Sequence, residues 1–242
     1  MNRILVILLA FSFTLAADAD SETPYQASAL IDRYRSALAG QQDALKNMSM
    51  EVHMEGRIPK LKKEGKMSAL RMISSLGKIT YKVVGFWGDD TVKKEVMARY
   101  MTAEVEAASD KPKKDEHNIA ITPENYEFKY KGLSDRNNTR VHVFELKPRH
   151  KRLGLFKGEL WLDPDTCLPL HEGGRLVKSP SVWVKKMEFA RYYEIIDGVS
   201  YLKRMETKTD TRIVGKAELN IEYANFHKQT DEAVVEPVAG LR

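Results

Sequence analysis

The side chains able to cut, transfer or hold a metal are scattered along this chain. Six histidines, His53, His117, His142, His150, His171 and His227, share neither the helical nor the short hairpin spacing that brings two imidazoles to one metal ion. No serine sits in a Gly-x-Ser-x-Gly elbow, and no glycine loop has the phosphate-binding pattern. The carboxylate pairs Asp89-Asp90 and Asp163/Asp165 stand beside glycine or proline, where turn formation accounts for them. Glycosidase carboxylates need not be close in sequence, so spacing alone does not remove that reading. Cys167 is the one cysteine, so no internal disulfide can form, and a lone thiol reads as a small core residue. This pattern leads us to expect a binding protein rather than an enzyme, with no catalytic residue, no metal and no cofactor.

Binding chemistry is easier to find. Lys60, Lys62, Lys63 and Lys66 form one basic stretch, and Lys147-Pro-Arg-His-Lys-Arg-Leu-Gly-Leu-Phe-Lys157 forms another. Basic stretches suit nucleic acid. The N-terminus points to a compartment with little of it, where anionic lipid head groups are the better match. Two solvated loops that keep the protein soluble would look the same. Asn47-Met-Ser49 and Asn137-Asn-Thr139 match the glycosylation acceptor pattern, which also arises by chance.

That N-terminus is a positive start at Arg3, an apolar run of 13 residues from Ile4 to Ala16, and the small-x-small Ala17-Asp18-Ala19. The run is short of the roughly 20 residues that span a bilayer. Residues 1–19 therefore read as a secretory signal peptide. Residues 20–242 read as one domain, because no Pro/Gly/Ser-rich linker divides them. Cleavage removes one base and one acid and leaves the net charge at +5. The expected location is periplasmic or secreted.

In the mature chain, Thr23-Pro24 opens a helix whose Ala27, Leu30, Ile31, Tyr34, Leu38 and Leu45 fall at helical spacing. Asp90 to Ala108 reads as a second helix, with Val92, Val96, Tyr100 and Ala103 on one side and Met97 and Met101 beside them. Strand alternation marks Met50 to Met54, Ile79 to Trp87, Tyr126 to Tyr130, Arg140 to Leu146 and Phe156 to Leu162. It continues in Met187 to Ile195, Tyr201 to Thr207 and Ile213 to Tyr223. Gly56 to Lys66 reads as a basic, turn-rich connection; Asp163-Pro-Asp165, Gly173-Gly174 and Asp197-Gly198 read as turns. Helices and strands do not alternate regularly, which disfavours a parallel βαβ fold. The expected class is mainly β with two or more helices: a curved antiparallel sheet with one wet face and the helices over the other.

The segment Gly158-Glu-Leu-Trp-Leu-Asp-Pro-Asp-Thr-Cys-Leu-Pro-Leu170 resembles the strand–turn–strand of the lipoprotein-carrier superfamily that includes LolA, LolB and RseB. So do Ser179-Pro-Ser-Val-Trp-Val-Lys-Lys-Met-Glu-Phe189, Tyr193 and Asp197-Gly-Val199, and the order of elements. The resemblance implies an unclosed barrel with a helical lid over a cavity for acyl chains. No functional residue of that group maps onto a position here. The expected function is a carrier or sensor that binds lipid or a lipidated protein non-covalently. The alternative is an envelope scaffold protein with a filled core. The candidate lining residues are Met54, Trp87, Val96, Tyr100, Leu160, Leu162 and Phe189.

Overall fold

The computed structural model describes residues 24–109, 119–180, 182 and 184–229. The segment read as a signal peptide, and His117, lie outside them. The chain begins with α1 (Pro24–Leu38) and a short α2 (Gln41–Ala44). Three strands follow, β1 (Met48–Ile58), β2 (Lys63–Ile73) and β3 (Ile79–Gly88). A second helical segment then runs through α3 (Asp90–Val92), a π-helical stretch (Lys93–Ala98) and α4 (Arg99–Ala107). The rest is a meander: β4 (Tyr126–Arg136), β5 (Thr139–Pro148), β6 (Phe156–Leu162), β7 (Pro169–Leu176), β8 (Val184–Ile196), β9 (Val199–Thr211) and β10 (Lys216–Lys228).

These strands form one ten-stranded sheet in the order β3-β2-β1-β10-β9-β8-β7-β6-β5-β4. The nine-residue register between β1 and β10 joins the N-terminal strands to the end of the meander. The strands β3 and β4 are the two free edges, so the curved sheet does not close into a barrel. As the alternation implies, β10 buries Ala217, Leu219, Ile221 and Tyr223 while Lys216, Asn220 and Glu222 face water. Asp89 caps the second helical segment, its carboxylate accepting from the Thr91 amide at 2.7 Å.

Two strands correct the sequence reading. Lys63–Ile73 is β2 over its whole length: Glu64 and Lys66 are its wet side and Gly65, Met67 and Ala69 its dry side. Gly173 and Gly174 are not a turn; they lie inside β7, with Gly174 opposite Gly158 and Gly173 opposite Ala190. Ile213 lies before the last strand and is exposed.

The core is divided. One half packs Val92, Val96 and Met97 of the second helical segment on Met50, Val52, Met54, Ile58, Leu219 and Ile221. Gly56 permits the close seat, since a Cβ there would stand 2.7 Å from Val92 Cγ1. The other half packs Leu30 and Tyr34 of α1 on Phe144, Leu146, Leu160 and Leu162, with Cys167 buried at its edge. Two helical plugs thus fill the two ends of the concave face.

Candidate functional site

Between the plugs lies the middle of the sheet, and its central strand is unusual. In β8 no described residue is fully buried, although strands pair with it on both sides. Met187, Phe189, Arg191 and Tyr193 share one face at two-residue spacing and point into the gap. That gap holds two cavities. A cavity of about 530 Å³ is walled by Tyr34, Leu38, Ile121, Phe156, Phe189 and Arg191, among others. A second, about 370 Å³, lies under the π-helical stretch and α4, against Val96, Ala103, Val184, Val214 and Leu219. Tyr100, Met187 and Thr207 line both and form the shared wall. Together these spaces fall in the size range of small-molecule sites, which are mostly apolar with a few placed polar groups.

The placed polar group is a cluster of three. Arg191 faces Glu172 across the β7–β8 ladder and donates to Glu172 Oε1 at 2.7 Å. The Tyr193 hydroxyl donates to the same oxygen at 2.6 Å. Burial opposes the charge of Arg191, but the Glu172 carboxylate outweighs it and keeps the guanidinium protonated. Burial first, and Glu172 second, push the Tyr193 phenol well above its ordinary value. Glu172 is 12% exposed, whereas 43% of the Arg191 side chain remains open where it lines the larger cavity. The cluster is therefore paired on one side and has donors to spare on the other.

Polar contacts also hold the second plug. Arg71 donates to Glu104 at 2.6 Å, and the Tyr81 hydroxyl donates to the other Glu104 oxygen, so α4 is clamped to β2 and β3. The hydroxyls of Tyr100 and Tyr223 lie 2.9 Å apart, tying α4 to β10. Burial pushes the Tyr223 phenol up to about 12.

The structure separates the seven predicted lining residues. Val96, Tyr100 and Phe189 reach the cavity walls. Met54, Leu160 and Leu162 are at most 1% exposed and belong to the two filled halves of the core. Trp87 points outward, opposite Lys66 on the wet face. Missing from the prediction were Glu172, Met187, Arg191, Tyr193 and Thr207. One signal was available for Arg191: it falls in the register of Met187, Phe189 and Tyr193, so an apolar face carries one charge.

One arrangement resembles a catalytic relay. His53 Nδ1 lies 3.2 Å from Ser68 Oγ, and its Nε2 lies 3.7 Å from Glu51. It sits on the water-facing side of β1 and β2, neither of the two cavities above borders it, and the histidine and glutamate are half exposed. Among the described residues no three His, Cys, Asp or Glu side chains converge as a metal site, and no helix is long and apolar enough to cross a membrane.

No family model matches the chain, and no curated protein matches it. Solved structures do resemble it. A DUF1329 family protein from Desulfovibrio piger is 15% identical, over 86% of this chain and 95% of that one, with a TM-score of 0.42. A LolA superfamily protein from Nitrosomonas europaea is 9% identical over 86% and 94%, with a TM-score of 0.39. A domain described as an outer membrane lipoprotein-sorting protein, from Vibrio parahaemolyticus, is 11% identical over 86% and 95%, with a TM-score of 0.43.

Proposed function

We propose that this protein is a carrier or sensor that holds a lipid, or the acyl chains of a lipidated protein, without covalent bonds in the space between its two plugs. The observation that carries the reading is the central strand: β8 presents Met187 and Phe189 to open volume where a filled half-barrel would bury them. An acyl chain placed there gains about 0.8 kcal/mol for each methylene removed from water. Val96, Tyr100, Met187, Phe189 and Thr207 form the apolar wall, and the Arg191–Glu172–Tyr193 cluster offers hydrogen bonds to the polar end of the ligand. No step of this role makes or breaks a bond.

Native mass spectrometry of the purified protein is expected to show retained lipid. After delipidation, a fluorescent fatty-acyl probe should bind. Met187→Trp should lower probe affinity at least about tenfold, since the new ring would occupy the wall common to both cavities, while the thermal midpoint changes little. Wild-type protein that neither retains lipid nor binds the probe would support the scaffold reading instead.

Export belongs to the same proposal. Protein recovered from the cell envelope is expected to begin near Ala17 or Asp20 by N-terminal sequencing. Recovery of full-length chain in the cytoplasm would contradict it.

A further inference from the structure

The antiparallel register brings both basic stretches to one end of the sheet. The β1–β2 turn at 59–62, the β5–β6 connection at 149–155, the described residues 177–180 and 182 between β7 and β8, and the β9–β10 connection at 212–215 all lie at that end. They touch in sequence around the rim. Lys60 lies beside Gly215, Arg212 donates to the Val182 carbonyl at 3.0 Å, and the Val177 amide donates to the Leu155 carbonyl at 3.0 Å.

These four connections share a composition. They hold seven Lys and Arg and no Asp or Glu: Lys60 and Lys62, then Arg149, Lys151 and Arg152, then Lys178, then Arg212. Among the described residues none of the seven forms an ion pair. Each connection also exposes a large aliphatic side chain: Leu61 at 43%, Leu153 at 51%, Val182 at 77% and Ile213 at 63%. The opposite end differs. Its connections at 74–78, 137–138, 163–168 and 197–198 hold one base, Lys78, against Asp163, Asp165 and Asp197. Asp89, Asp90 and Glu124 also lie at the basic end, and Asp89 is paired with Lys63 at 3.3 Å.

We infer that this rim docks on an anionic lipid bilayer, the bases against the head groups and the four aliphatic side chains among the upper acyl carbons. Bases interspersed with exposed aliphatics fit such a surface, whereas an aqueous polyanion would gain nothing from the aliphatics. Both cavities reach this rim, since Ile213 and Pro180 border the smaller one and Ile119 and Gly154 the larger, which also extends to Gln41, Pro169 and Ser200 at the other end.

The test is flotation with vesicles of equal parts phosphatidylglycerol and phosphatidylcholine, against phosphatidylcholine alone. Binding is expected to the anionic vesicles and to weaken as salt is raised. Combined Lys60→Gln, Lys62→Gln, Lys151→Gln and Arg152→Gln should weaken it by about fivefold for each base removed, while Asp163→Asn should not. With the three native tryptophans Trp87, Trp161 and Trp183 replaced by phenylalanine, Leu153→Trp emission should shift to the blue with anionic vesicles; Leu76→Trp in the same background, at the opposite end, should not shift. Equal binding to both vesicles, binding to neither, or a shift at position 76 alone would overturn the inference. Binding of polyglutamate without vesicle binding would assign the rim to an acidic protein and overturn it as well. Docking does not depend on cargo: Met187→Trp should float with vesicles as the wild type does, so failure of either proposal is visible separately.

Discussion

Gly158→Ala is expected to lose more than about 4 kcal/mol of stability, at the far end of what one substitution does. Gly158 on β6 faces Gly174 on β7, and the two backbones touch there. An added Cβ would overlap the Gly173 carbonyl and stand 2.6 Å from the Gly174 Cα. Both obstacles are main chain, so no rotamer change can relieve them, and the β6–β7 ladder must separate locally. In an unconstrained strand the same change gains about 0.5–1 kcal/mol by restricting the unfolded chain. The sign of the effect is therefore decisive. A urea midpoint equal to or above that of the wild type would mean that the close approach is not present in solution.

Leu160→Ala is expected to lose about 2–5 kcal/mol and to leave acyl-probe affinity unchanged. Leu160 is wholly buried in the half of the core that α1 fills, and its cross-strand partner Phe144 is wholly buried too. Removal of the isobutyl group leaves a void that packed neighbours cannot close. At a cavity wall fewer neighbours would lose contact, so the stability loss would be small and the affinity would move. The denaturation midpoint and probe affinity of one variant thus report on both halves of the argument. A small loss with altered affinity would extend the cavity beneath α1.

Strict alternation made most of the sheet legible, and it failed where the backbone departed from two-residue repeat. Ile79, Tyr81 and Val83 lie opposite Ile73, Arg71 and Ala69, which puts odd-numbered residues of β3 on the inner face. Val84 is an extra residue at a bulge, after which Phe86 pairs with Met67 and takes the inner side. Trp87 follows the parity of the first half and so looks inward on paper, but stands outside. The glycines of β7 misled for another reason. A Gly-Gly pair marks a turn or a place where strands meet too closely for any Cβ, and only the partner at Gly158 distinguishes the two. Charge hid β2, because Lys63, Glu64 and Lys66 belong to a strand with one wet side. The cavity was least legible of all. Met54 and Leu160 carry the same inward signal as Phe189; whether a helix sits above them depends on where two plugs end.

The unpaired edges at β3 and β4 have a mechanical meaning. In a closed barrel, girth follows from strand number and stagger, and every rung of the ladder resists a change in it. This sheet has a seam, so it obeys no such condition. Its ten strands can open or tighten by small changes in twist between neighbours, with no backbone hydrogen bond broken. The width of the gap over β8 is then set by side chains, with the Glu104 clamp on one flank and the seat of Tyr34 and Leu30 on the other. In the proposed carrier, such a seam would let the sheet fit ligands of different thickness, adjusting its circumference as a split collar does.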